Sequence, residues 1–446
     1  SAASDVYKRQ DMNNLNAVGH KHIIGHKELT DHKSPLRFDP DFVYISAVDN
    51  KGLPLKDKLA AGEKVLRGTV LGTRPDFSIP VISSVSGTIK EVKKLFNSTL
   101  GRPTDFFVIE NDKKYEAVDR PLLKDDISKE EFISAVQNAG LVGMGGAGFP
   151  TYLKYKTDKK ISYLIVNAVE CEPYLTTDYK ALQERLNSVI VGMEKIVKTF
   201  GLDKAYLCFK KSKKDLIEPV KKALQGHDKL ELHLVPDVYP AGYERTLVKF
   251  VLKKTYNVLP IEVGAVVNNV ETIAQIGDLF IGTENLGFRT YTFSGDALKN
   301  NNNVICPVGT LIGEIIKFLG GYNTEDDVMI VIGGPMTGKA ARSEEIALMN
   351  NNSGITVFNI KKLEHEYKPV ACWHCGKCIE VCPSSLQPVL IRMALGREDY
   401  KSADKLGIMS CVSCGSCSAI CPSHIDLAQD FAKGKLITKI KVGTKK

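Results

Sequence analysis

Eight of the eleven cysteines fall into two runs, CWHCGKCIEVCP and CVSCGSCSAICP. Each has the form C-x2-C-x2-C-x3-C-P. The first holds Cys372, Cys375, Cys378 and Cys382 before Pro383, and the second holds Cys411, Cys414, Cys417 and Cys421 before Pro422. Thiolates at i, i+3 and i+6 let one loop wrap three corners of an iron–sulfur cube, and in this spacing the fourth cysteine serves the other cluster. The expected ligand sets are therefore crossed. Cys372, Cys375, Cys378 and Cys421 hold one [4Fe–4S] cluster, and Cys411, Cys414, Cys417 and Cys382 hold the other. Structural zinc asks for two separated CxxC pairs and gives no reason for the third cysteine or the proline. Disulfides need an oxidising compartment, and no secretory signature is present. Cluster assembly needs reduced thiols, which places the chain in the cytoplasm. Cys171, Cys208 and Cys306 are left as core or loop filler.

The second chemical signal is glycine. GMGGAGFPT, residues 143–151, formally matches GxGxxG. A dinucleotide crevice of the common kind needs a strand before the glycines and a helix after. Here the helical run FISAVQNAG precedes them and Pro150 follows. The loop still exposes backbone N–H groups suited to a phosphate, with Lys154 as a nearby cation. A third stretch, GGPMTGKA, almost matches a phosphate-binding P-loop. Its last position is Ala340, so the magnesium-binding hydroxyl is missing, and Pro335 removes a donor. ATP is not expected there.

The elements that must position these groups follow from patterning. The first 20 or so residues lack a clear apolar period and read as disordered or not native to the fold, and residues 1–32 together read as a disordered or extended amino terminus. From 33 to 118, short apolar runs broken by Gly, Pro and Asp-Asn turns read as an all-β unit. PVISSVSGTI has the barrel-sandwich pattern, with no lysine at the hairpin tip for a lipoyl or biotinyl group. From 119 to 285 strands (ISYLIVNAVE, AYLCF) alternate with helices, opened by a capping box of Ser128 and Glu131. Residues 286–360 form a small α+β unit, with TYTFSGD and VMIVIGGP around the helix TLIGEIIKFLGG. Residues 361–430 carry the cysteines. Between the runs, Leu386, Val389, Leu390, Met393 and Leu395 have helical spacing, so this module is expected to be helical rather than the small βαβ type. Residues 431–446 are a basic tail; the stretch AKGKLITKIKVGTKK holds six lysines. The fold class is α/β multidomain.

Bulk composition is ordinary: 446 residues, 43% hydrophobic, 25% charged, net charge +8. No apolar run approaches the 18 residues of a membrane span. No Arg-rich or aromatic-interleaved basic patch points to nucleic acid. The lysine tail reads as solvated, or as attracted to an anionic membrane surface or an acidic partner.

Taken as a set, GLVGMGGAGFPTYLKY, LIVNAVECEPYLTTDY, VVNNVETIA, YTFSGD, GGPMTGK and the two cysteine runs resemble the C subunit of the Rnf electron-transport complex. The match runs over roughly residues 33 to 425 in the same order. The middle domain is also similar to the flavoprotein subunit of respiratory complex I, which uses its glycine loop for FMN and NADH. The third unit would be an SLBB-like β-grasp. The resemblance implies that Gly143, Gly145, Gly146, Gly148 and Lys154 hold the FMN phosphate and ribityl end. Asn167 and Glu170 would line the flavin, with Asn268, Asn269 and Thr272 on its other side. Phe149 would stack near NADH, Glu172 would contact nucleotide hydroxyls, and Tyr239, Gly242 and Glu244 would form the next flavin loop. Two departures stand out. Val169 replaces an acidic residue of the complex I relative, and the His-Pro-Pro motif of the Rnf amino terminus is not evident in HIIGHKELTDHKSP.

These parts fit one chemistry. NADH yields two electrons as a hydride, a [4Fe–4S] cluster takes one, and FMN converts between them. No side chain need act as nucleophile or base. The resemblance implies NAD:ferredoxin oxidoreductase activity within an ion-translocating complex. The chain would lie on the cytoplasmic membrane face beside membrane-embedded and iron–sulfur subunits, with ferredoxin reached indirectly. Two rivals remain: a soluble or microcompartment-associated reductase such as a cobalamin reductase, and a relay adapter without flavin. In the former the barrel-sandwich piece tends to follow the clusters, whereas here it comes first. The retained glycine loop speaks against the latter.

Overall fold

A computed structural model describes residues 23–282, 287–363 and 368–443. The expectations for residues 1–22, for the boundary at 285/286 and for the end of the lysine tail (444–446) lie outside these.

The all-β unit is a barrel-sandwich. Strands Phe42–Ser46, Arg102–Asn111, Gly87–Asn97 and Lys64–Val65 form an antiparallel sheet in that order, and the hairpin of Val70–Arg74 with Ile79–Ile82 closes on it. The shared core includes Val43, Ile45, Leu71, Ile89, Phe107 and Ile109. Alternate residues of Phe42–Ser46 are buried, as a half-exposed strand requires.

The central unit opens with helix Lys129–Asn138, whose Ser128–Glu131 capping box is formed as expected. Its sheet is wholly parallel, in the spatial order Leu230–Val235, Lys204–Lys210, Tyr163–Asn167, Ala265–Asn269. The chain runs outward from strand 163–167 to one side, then crosses back to place strand 265–269 on the other. The strand order therefore reverses between 163–167 and 265–269. Ligands of open parallel sheets bind at the carboxyl ends of strands at such a reversal. Asn167 ends one of these strands, and Asn268 and Asn269 end the other.

Helix Val270–Ile281 starts at that point and is held tightly. It crosses helix Leu186–Phe200 through Gly277, where a Cβ would lie 1.9 Å from the Ser188 carbonyl oxygen, and Gly192, where one would lie 2.3 Å from the Ile273 oxygen. Arg185 pairs with both Glu271 and Asp278 of the same helix.

The third unit is a mixed sheet carrying helix Ile312–Phe318, with Phe288–Ser294 and Gly354–Asn359 parallel at its centre. Leu36–Arg37 adds a parallel edge beside Asn302–Pro307. These two residues were expected in the barrel; a two-residue strand has no period to read. The amino-terminal stretch also differs from expectation. Residues 23–32 lie against the central unit, with the Thr30 and Thr176 hydroxyls 2.8 Å apart and Lys213 paired with Asp31 at 2.9 Å.

Among residues 368–443 all regular structure is helical, as expected. The tail is not a separate solvated piece. Helix Leu427–Val442 buries Phe431, Gly434 and Thr438. A Cβ on Gly434 would fall 2.5 Å from Leu395, so the helix needs glycine to approach its neighbour. The lysines mask this contact in the sequence.

Candidate functional site

The two cysteine runs produce two cavities. One, of about 230 Å³, is lined by Cys372, Cys375, Cys378 and Cys421. The other, about 20 Å³, is lined by Cys382, Cys411, Cys414 and Cys417. These are the crossed quartets that the spacing implied. Each loop turns alike: the amides of His374 and Ser413 donate to the sulfurs of Cys372 and Cys411, both at 3.4 Å. Burial, then repulsion from quartet mates, pushes the thiols of Cys378 and Cys414 up to about 11. Iron must displace those protons on binding. Four soft donors around each space fit a [4Fe–4S] cluster.

The glycine loop closes on itself through the Gly143 amide and the Phe149 carbonyl, 2.8 Å. The Met144 amide donates to the Thr272 hydroxyl at 3.1 Å, which ties the loop to the first turn of helix 270–281. Gly146 has φ +132° and open space where a side chain would be, a conformation only glycine adopts readily. A Cβ on Gly145 would meet that of Asn269 at 3.2 Å. The Asn351 amide donates to the Gly146 oxygen at 2.8 Å, so the third unit braces the loop. Gly148 also faces Asn351.

Lys154 buries its amine and donates to the Val267 oxygen at 2.6 Å; burial lowers its pKa. Asn268 gives its amide to Tyr155, and its own carbonyl oxygen is buried with no partner among the described residues. Asn269 caps helix 270–281 and donates to Asp178 at 2.8 Å. Asn167 donates to the Gly242 oxygen at 2.7 Å. Glu244 accepts from the Tyr256 hydroxyl at 3.0 Å. Phe149 is exposed and meets Phe77 of the barrel edge-on. A buried amine, an unsatisfied carbonyl and a glycine cradle at a helix N-terminus fit FMN.

Glu172, expected at the nucleotide hydroxyls, has partners in the third unit. Its carboxylate accepts from the amides of Met336 and Thr337 at 2.6 and 3.0 Å, and from the Thr337 hydroxyl. The near P-loop thus cradles an internal anion, and Glu172 anchors that loop.

Tyr239 does more than its loop position suggested. It is 2% exposed, and its hydroxyl donates to the Cys414 oxygen at 2.6 Å. With Met336, Cys414 and Ala419 it forms a buried contact between the central unit and the second cysteine loop, joined by Cys171. Cys208 and Cys306 are fully buried filler, as expected.

Three further residues escaped the sequence reading. Lys27 donates to the backbone oxygens of Glu170, Glu172 and Leu175. Asp178 is buried beside Asn269, and burial, then Glu170, raises it to about 8. Arg289 is buried and donates to the Met144 oxygen at 2.6 Å, beneath the glycine loop. Asp178 lay inside a quoted motif; nothing set the other two apart.

Comparison with known proteins agrees with this layout. The family described as RnfC barrel sandwich hybrid domain matches residues 19–114, the Nuo51 FMN-binding domain matches 136–278, and the 4Fe-4S dicluster domain matches 364–433. The C subunit of the proton-translocating ferredoxin:NAD(+) oxidoreductase complex of Clostridium ljungdahlii is 34% identical over 81% of this chain and 79% of its own length. The Na(+)-translocating counterpart of Acetobacterium woodii is 33% identical over 80% and 82%. An air-oxidised NAD+-reducing [NiFe]-hydrogenase shares the fold, with TM-score 0.51 and 21% identity over 70% of this chain and 63% of that one. The chain therefore belongs to the family of Rnf complex C subunits, with an FMN-binding domain and a dicluster [4Fe–4S] domain.

Proposed function

We propose that this chain is the NADH-facing subunit of a membrane-bound, ion-translocating ferredoxin:NAD oxidoreductase, docked peripherally on the cytoplasmic face. Its partners would be membrane-embedded and iron–sulfur subunits, with ferredoxin reached through them. Among the described residues no helix is long and apolar enough to cross a membrane, so ion movement falls to those partners.

FMN, when bound, would take the two electrons of one hydride and pass them on singly, as [4Fe–4S] clusters require. The chain's task is to hold and order these groups. Gly143, Gly145, Gly146 and Gly148, with the N-terminus of helix 270–281 and Lys154, would hold the phosphate end. Asn167, Glu170, Gly242, Glu244, Asn268, Asn269 and Thr272 would surround the rest, while Tyr239, expected in the same loop, is turned to the second cysteine run. Phe149, which is exposed, would meet the nucleotide.

The Tyr239–Cys414 contact carries the reading. It sets the quartet of Cys382, Cys411, Cys414 and Cys417 against the flavin domain. The quartet of Cys372, Cys375, Cys378 and Cys421 faces outward, beside Trp373, which is 66% exposed. Trp373 and Met393 then mark the side on which a partner receives electrons. Anaerobically reconstituted full-length chain should carry FMN and about eight irons, and NADH should reduce both clusters. Stoichiometric zinc, or clusters that NADH leaves oxidised in the presence of bound FMN, would overturn the proposal.

A further inference from the structure

The cysteine-rich part is a structural repeat. Every cysteine of the first run recurs 39 residues later. The backbone repeats with it: φ is 55° at His374 and 53° at Ser413, 77° at Gly376 and 80° at Gly415, 52° at Ser385 and 54° at His424. Two quartets in matching loops would be near equivalent unless their surroundings differ. The differences at this offset therefore show what makes them unequal.

The sharpest one is Lys435. Its repeat partner is Gly396, at the end of helix Pro388–Gly396, where a Cβ would meet nothing within 4 Å. Lys435 lies on helix 427–442, partly buried, and its amine donates to the Cys411 oxygen at 2.7 Å. The same loop receives the Tyr239 hydroxyl on the Cys414 oxygen. The first run has a cation of its own, Lys377, at the position of the buried Ser416, and it is partly exposed.

We propose that Lys435 is a tuning residue that raises the reduction potential of the cluster held by Cys382, Cys411, Cys414 and Cys417, and so makes the two repeat-related clusters unequal. This rests on the reading that both quartets hold clusters. A reduced cluster carries one more negative charge than the oxidised one. A fixed positive charge held on a ligand's own carbonyl favours the reduced form, more strongly where burial excludes water. Hydrogen bonds to ligand backbone act in the same direction. The cluster facing the flavin domain thereby becomes the easier of the two to reduce.

The test is an EPR-monitored redox titration of full-length, anaerobically reconstituted protein. Lys435→Met should shift one of the two midpoints to more negative potential and leave the other in place, and Lys435→Arg should restore it. Gly396→Lys, at the vacant repeat position, should shift the other midpoint to more positive potential. That variant also decides the matter if Lys435→Met fails to assemble its cluster. Unmoved midpoints with both clusters present overturn the inference, as does movement of the same midpoint by both variants. Wild-type protein without two clusters would instead bring down the cluster assignment itself, and this inference with it.

Discussion

The Tyr239 hydroxyl reaches the carbonyl oxygen of Cys414 at 2.6 Å, in a contact from which water is excluded. One end of this bond sits on the loop that follows edge strand Leu230–Val235 of the flavin-domain sheet, the other on the backbone of Cys414, itself an expected cluster ligand. It joins the two redox modules directly. Tyr239→Phe would leave a buried carbonyl without its donor, at a cost of about 1–2 kcal/mol. Stopped-flow measurement should show flavin reduction by NADH unchanged and subsequent cluster reduction slowed. Equal slowing of both steps would mean that Tyr239 acts on the flavin site instead.

The glycine loop predicts a separation of cofactors. Gly145→Val puts a β-branched side chain where even a Cβ would crowd Asn269 at 3.2 Å. Flavin content, read by absorbance after extraction, should fall sharply while iron content holds. Retained flavin would move the site away from this loop.

The helix that presents Asn269 and Thr272 depends on Gly277. An added methyl would sit 1.9 Å from the Ser188 oxygen. Gly277→Ala should cost about 3 kcal/mol, the upper part of the range for overpacking, because the obstacle is backbone and cannot rotate aside. Chemical denaturation checks this, with flavin loss expected before global unfolding.

Lys27 carries a pH signature. Burial lowers its amine to about 8, against an ordinary 10.5. The folded protein then binds fewer protons than the unfolded chain between those values, so this group makes stability rise with pH across that window and contributes no slope below it. From pH 7.5 to 9.5, wild type should gain on Lys27→Met by about 2 kcal/mol in denaturant titrations. A gap that stays constant or narrows over that interval would show the amine to be unperturbed.

Much of this was legible in the chain. Cysteine spacing implies crossed quartets because three thiols on one loop leave a corner to fill, and the capping box, barrel-sandwich runs and helical spacing between the cysteine runs are local patterns. What stayed hidden depends on long-range packing. GGPMTGK looks like a failed P-loop until Glu172, far away in sequence, supplies its anion. Lys435 is one of six tail lysines until helix 427–442 docks through Gly434. Lys27 sits in the segment expected to be disordered or extended and is held by three backbone oxygens that no pattern announces. The glycine loop precedes its sheet, so the strand reversal at Asn167 and Asn269 could not be anticipated from the order of elements.

The central claim is that the quartets are crossed and that the one completed by Cys382 faces the flavin. Two variants of reconstituted full-length protein, reduced with NADH and followed by rapid-freeze EPR, test both parts at once. Cys382→Ala should retain about four irons in a cluster that NADH reduces only slowly, because the flavin-side cluster is lost. Cys421→Ala should retain a similar amount in a cluster that NADH reduces at the wild-type rate. The reverse pattern, with fast reduction in Cys382→Ala and slow reduction in Cys421→Ala, would contradict the account.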